Sequence, residues 1–404
     1  MRYSSSAILI VAMCGCSVEA EVTEPSVATA VLAPALSYQI AKLPALGGTL
    51  SRGMAINDRS WVAGWSNRPD GSRHAALWRN GGITDLLTLG GPSSTVAWPG
   101  LNDEGMVVGV SHTAEIDPLN EDWSCEAGGF LPESTNLVCR GFVWKDGEMQ
   151  ELPTLGGHHG FAAALNNRGQ VVGWAETPVH DPTCTGVQVL QFRAVVWEPK
   201  KNKVKTRELL PFPGDSTSAA TAINDRGEAV GISGDCDQAV GRFSARHAVL
   251  WSKNGKVTEI PNLGGVTWHT PLDINAAGDV VGFSNPAGPG DPDGEFISHA
   301  FLWTRGAAKA LDLGTLPGDL FSQAFAINGR GQVVGVSFGG ASGSRGFLWQ
   351  DGVMTNLNDL VAPGSPDVLL SAQDINDEGQ ITGRVLDHAT GETLAFVATP
   401  SSCR

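Results

Sequence analysis

Three groups of residues in this sequence have types and spacings from which chemistry is commonly built. The first is the glycine set Gly329, Gly331 and Gly335 in "AINGRGQVVGVS" (326–337). A phosphate-cradling loop needs a strand before the glycines and a helix after them, because the helix N-terminus meets the phosphate. Here Val333-Val334 and more strand-like sequence follow, with no helical period, which argues against nucleotide binding. The second group is histidine and acid. His158 and His159 are adjacent, and neighbouring side chains on an extended chain point to opposite sides, so they are no metal pair by themselves. "DPDGE" (291–295) lacks the twelve-residue spacing and terminal Glu of a calcium loop. The acidic residues of 112–140, including Glu115, Asp117 and Glu121, read as solvated surface, as do Asp291, Asp293 and Glu295. No Gly-x-Ser-x-Gly at a strand-to-helix elbow, His-Glu-x-x-His or Cys/His signature occurs. No catalytic residue, cofactor or metal site is therefore expected, although paired carboxylates are defined only in space. The third group is cysteine. Cys125 and Cys139 lie in one insertion, and Cys184 and Cys236 in equivalent loops of neighbouring repeats, so these are the candidate disulfide residues.

The elements that position these residues are repeats. The opening stretch recurs seven times, anchored by Asn57, Asn102, Asn166, Asn224, Asn275, Asn328 and Asn376 at spacings of 45 to 64 residues. Gly329 has no counterpart in the other six copies. Each copy reads as a strand, a tight Asn-x-x-Gly turn and a returning strand. A third strand such as "HAFLW" (299–303) is apolar on both faces, and a fourth such as "VTEIPNLGG" (257–265) ends in a turn. Four strands repeated seven times predict an all-β, seven-bladed β-propeller. The seventh repeat lacks its fourth strand, while "YQIAKLPALGG" (38–48) is spare, so the N-terminal strand is expected to close the ring in the last blade. A solenoid predicts the same repeats without that permutation. The recurring Trp78, Trp144, Trp197, Trp251, Trp303 and Trp349, and His74, His247 and His299, read as structural because they repeat.

The unit "LGG…AIN–RGQVVG–S…HAFLW–G" resembles the HAF repeat of bacterial exported proteins, over residues 38 to about 398. The resemblance implies an extracellular or cell-surface protein and little more about function. Four copies replace the His, Ser60 stands where the others have Gly, and Ala398 replaces the final Trp.

Export agrees with the N-terminus. "MRYSSSAILIVAMCGC" has one Arg and an apolar run too short to span a bilayer, the form of a secretory signal. Met13-Cys14-Gly15-Cys16 resembles a lipobox, which would make Cys16 a lipidated first residue and a lipid anchor the only membrane attachment; cleavage near Ala20 with free secretion is the alternative. The expected layout is a signal over 1–15, a flexible tether over 16–37, the propeller over 38–399 and a tail over 400–404. A formal net charge of −15, with no stripe of Lys and Arg, excludes nucleic acid as a partner. A closed propeller has little free edge, so a monomer is expected.

Variation between copies is confined to loops sharing one face. Trp98, Phe161, Trp268 and Phe321, with His158, His159 and His269, are expected to ring the channel mouth there. Exposed aromatics beside polar groups suit a saccharide or peptide. The expected function is non-catalytic binding of a saccharide, peptide or protein partner across this face. The alternatives are a polysaccharide-acting hydrolase or lyase on the same scaffold, or a purely structural envelope protein.

Overall fold

Every repeat becomes a four-stranded antiparallel sheet in the computed structural model. The described residues are 36–401, apart from 122–129, 133–134, 185, 201–202, 238–242, 267, 288–296 and 362–364. Blade 1 consists of Ser51–Ile56, Val62–Asn67, Arg73–Arg79 and Gly82–Asp85. Blades 2 to 6 occupy 90–151, 160–209, 217–260, 270–314 and 321–356. Blade 7 takes three strands from the C-terminal end, Val368–Ile375, Ile381–Leu386 and Thr393–Pro400, and its outermost strand, Tyr38–Lys42, from the other end of the chain. Tyr38 lies opposite Pro400 and Lys42 opposite Phe396. The fold is the seven-bladed β-propeller that the repeats predict, closed as expected. The single short 3₁₀ turn, Leu357–Leu360, is the one helical element among the described residues.

The repeated asparagine does two jobs. Asn57 Oδ1 accepts the backbone N–H groups of Arg59 and Trp61 at 3.1 and 2.9 Å, holding its own turn. Its Nδ2 donates to the carbonyl of Asn102 in the next blade at 3.0 Å. The same bond runs from Asn102 to Asn166, Asn166 to Asn224, Asn224 to Asn275, Asn275 to Asn328, and Asn328 to Asn376. Asn376 then donates to Asn57 at 3.0 Å, so the bonds form a closed circle. All seven asparagines are buried, so each bond satisfies groups that water does not reach. The turn's fourth position needs the left-handed region, and Gly331 adopts φ 76°; Ser60 adopts φ 60° in its place in blade 1.

The glycine of Val-Val-Gly has a separate cause. The inner strand bulges just before the asparagine, for example between Gly53 and Ala55. This brings the Arg52 carbonyl to 2.0 Å from where a Cβ on Gly64 would sit. The same clash recurs in every blade, at 1.9 Å for Gly173 and 2.1 Å for Gly383. Apolar faces of successive blades pack together and form the core. The tryptophans reach across it: Trp78 Nε1 donates to Pro44 O, Trp197 to Pro153 O and Trp251 to Leu210 O. His74 and His299 bond Asp85 and Asp312 of the adjacent strand, and His247 bonds Asp215, at 2.8 to 2.9 Å. Cys184 and Cys236 form a disulfide between blades 3 and 4. Cys139 is disulfide-bonded, and Cys125 lies outside the described residues. Cys16 and the signal and tether segments also lie outside them.

Candidate functional site

The channel has two unlike ends. The Asn turns surround a cavity of about 240 Å³ at one end. Its rim is acidic: Asp58 N donates to Asp103 Oδ1, Asp103 N to Asn167, Asn167 N to Asp225, Gly329 N to Asp377, and Asp377 N to Asp58. The circle breaks at Ala276, which has no acceptor, and resumes at Gly329. Burial, with Asp103 and Asp377 close by, raises the Asp58 carboxyl above its ordinary range.

The loop-rich end carries arginines instead. Arg52 is the second residue of the inner strand of blade 1 and pairs in register with Trp65. Arg384 of blade 7 pairs with Ser371 of its own inner strand. These are equivalent levels of the two blades flanking the closure. Arg52 is half-buried, and its Nε makes no hydrogen bond; the Nε of Arg384 is the same. Burial, then the charges of Arg384 and Arg73, push Arg52 down to about 9, and no acid among the described residues offsets them. Two further buried atoms here, Ser371 Oγ and Gln373 Nε2, lack partners. Arg73 opens the third strand of blade 1, with its guanidinium 3.9 Å from the Trp65 ring centroid, and donates to Phe130 O at 2.8 Å. Phe130 in turn meets Trp98 at 5.0 Å. Half-buried Trp65, Arg73, Phe130 and Trp98 thus run as one belt from blade 1 to blade 2.

The seven residues expected at this mouth fall into two sets. Trp98, His158, Trp268 and Phe321 are half-buried. Phe161, His159 and His269 are interior and offer no face to a ligand, which corrects that expectation. Phe161 stacks on Trp174 at 4.2 Å, and Trp98 meets both rings at steep angles, at 5.4 and 5.6 Å. Phe321 packs on Phe338, and Trp268 sits at φ 58° before blade 5. His269 Nε2 donates to Ile260 O, and burial pushes the ring down to about 4. The arginines and Trp65 were not singled out from sequence. A signal did exist. At the position five before each asparagine the residues are Arg52, Ala97, Phe161, Ala219, Thr270, Gln323 and Ser371. After each Val-Val-Gly they are Trp65, Val110, Trp174, Ile232, Phe283, Val336 and Arg384. Arg52 and Arg384 are the sole charges in their columns.

Behind the belt lies a second polar cluster. Asp117 and Glu121, expected on the surface, are 3% and 4% exposed. The insertion that carries them folds back on blade 3, where His159 Nε2 stands 3.4 Å from Asp117 Oδ2. The main-chain N–H groups of His158 and His159 donate to Glu176 Oε2 at 3.0 and 2.8 Å. Gln188 Nε2 bridges Glu176 and Glu121. Burial first, with the Glu121 charge adding to it, pushes Glu176 up to about 7. Burial also acts to raise Asp117, but the hydrogen bonds from His159, Leu119 and Glu121 outweigh it and hold the carboxyl below its ordinary range.

No protein-family model matches this chain, and no curated protein matches it. Solved structures do. The propeller domain of the trilobed protease of Pyrococcus furiosus, described as having an open velcro topology, is 10% identical with a TM-score of 0.51, covering 87% of this chain and 98% of that domain. A puromycin-hydrolysing peptidase of Mycobacterium tuberculosis is 13% identical with a TM-score of 0.45, covering 90% and 56%. A gluconolactonase of Xanthomonas campestris is 10% identical with a TM-score of 0.35, covering 91% and 98%. At such identities the likeness establishes the propeller fold and assigns no activity. The expectation that the chain is not an enzyme does not stand, because this fold also occurs as a domain of a protease. That expectation rested on the missing linear signature. On a propeller, groups from different blades meet only in space, so a linear signature is not required.

Proposed function

We propose that this chain is an exported surface propeller that recognises a carboxylate-bearing saccharide at the loop-rich end of its channel. The observation that carries the reading is Arg52 beside Arg384, two half-buried guanidinium groups without acidic partners among the described residues, in a chain of net charge −15. Keeping such a pair charged costs free energy that an anion would recover. Guanidinium is also the group best shaped to bind a carboxylate through two parallel hydrogen bonds. Trp65, one face of which Arg73 covers, and Trp98 are half-buried nearby and add aromatic surface for sugar rings. The acidic rim lies at the opposite end and does not compete for this ligand. The resemblance to HAF repeats and the lipobox-like Cys16 support export and a lipid anchor.

The test is calorimetric titration with oligouronates against their neutral counterparts, with the mixtures also assayed for products. Oligouronates are expected to bind, and Arg52→Ala or Arg384→Ala to weaken them about tenfold or more, the order of a lost charge-assisted bond. Equal binding of neutral oligosaccharides, or unchanged affinity in both variants, would overturn the reading.

A further inference from the structure

We propose that Asp117 and Glu121, held in place by His159, bind a calcium ion that fastens the long insertion of blade 2 to blade 3. The inference does not rest on the saccharide reading. Asp117 and Glu121 follow the second strand of blade 2, Val107–Ile116, and His159 immediately precedes the inner strand of blade 3, Gly160–Leu165. One ligand atom from each of the three lies within 4.8 Å of the others. All three residues are buried.

The second observation is the state of Glu121. Its Oε1 accepts from Val189 N and Leu190 N, both at 2.7 Å, and from Gln188 Nε2 at 3.3 Å. Its Oε2 is buried and accepts nothing. Every donor to this carboxylate is neutral; Asp117 accepts from the main-chain N–H groups of Leu119 and Glu121, and its one ionisable partner among the described residues is His159. Glu176 adds a third buried carboxyl, joined through the Gln188 amide. Asp117 and Glu121 are two buried carboxylates, and a cation between them would offset charge whose burial costs several kcal/mol.

The hydrogen bonds also select the cation. Cys139 N donates to His159 Nδ1 at 3.2 Å, so the ring proton sits on Nε2, facing Asp117. A ring engaged in this way has no lone pair left for zinc. The open site is a carboxylate oxygen, Glu121 Oε2, with Asp117 beside it, and oxygen ligands suit calcium, which takes six to eight of them in flexible geometry. His159 is therefore a positioning residue for Asp117. The ion would fix the insertion bearing Phe130, which holds Arg73.

The experiment is calorimetry and thermal unfolding of EDTA-dialysed protein titrated with CaCl₂, and separately with ZnCl₂. Calcium is expected to bind one per chain and to raise the melting temperature. Glu121→Gln and Asp117→Asn are expected to weaken it at least about tenfold, because each removes a ligand charge. In EDTA, Glu121→Gln is expected to melt no lower than the parent, because a buried unpaired charge is gone; a purely structural Glu121 would melt lower. Absence of calcium binding, zinc binding in its place, or unchanged affinity in both variants overturns the proposal.

Discussion

At the scale of single residues, the asparagine circle shows how one side chain serves two levels of structure. Asn376 Oδ1 accepts from Gln380 N at 2.9 Å, and its Nδ2 donates to Asn57 O across the closure. Asn376→Ala would strand buried groups on both sides, at roughly 1 kcal/mol or more for each. A loss of about 2 to 4 kcal/mol is expected in urea denaturation, and a loss below about 0.5 kcal/mol would show that the circle contributes little. The turn role of asparagine was legible in the sequence, because Asn-x-x-Gly has one local physical meaning. The cross-blade bond was not, because its acceptor is 45 to 64 residues away wherever it joins consecutive repeats. Arg52 and Arg384 were legible as exceptions within their columns, but not as neighbours. Only ring closure brings blades 1 and 7 together.

At the scale of elements, strands were readable and loops were not. Strand patterns such as His-Ala-Phe-Leu-Trp depend on burial that every repeat shares. The insertion of blade 2 has no sibling to compare with. Its acids read as solvated, yet Asp117 and Glu121 are covered by blade 3. What ties such loops down is local and specific. The Cys184–Cys236 disulfide spans 52 residues and joins the loops of blades 3 and 4. Replacing both cysteines with serine is expected to cost about 2 to 4 kcal/mol, in line with a loop of that length. Guanidinium denaturation measures it, and a doubly substituted protein as stable as its parent would refute the estimate. The loss should be felt beside blade 3 first, because Cys236 belongs to the same apolar cluster as Phe161 and Trp174.

At the scale of the whole molecule, the repeats made the propeller plain, and the strand missing from blade 7 pointed to its closure. Export and anchoring belong to this scale as well. The proposed anchor at Cys16 predicts that Cys16→Ala moves the protein from the membrane fraction to the soluble fraction, and an unchanged distribution would sink that part of the reading. The closing strand has a consequence in time. Tyr38–Lys42 is among the first structured segments to be synthesised, and its partner Thr393–Pro400 among the last. Until residue 400 is available, Tyr38 has no Pro400 to meet and blade 7 has no outer strand. The Asn376 link to Asn57 also waits for the last repeat. Individual blades are free to form as they emerge, but the circle can close only once residue 400 has been made. If the chain is exported as proposed, and before that moment, it crosses the membrane while still an open string of blades or less.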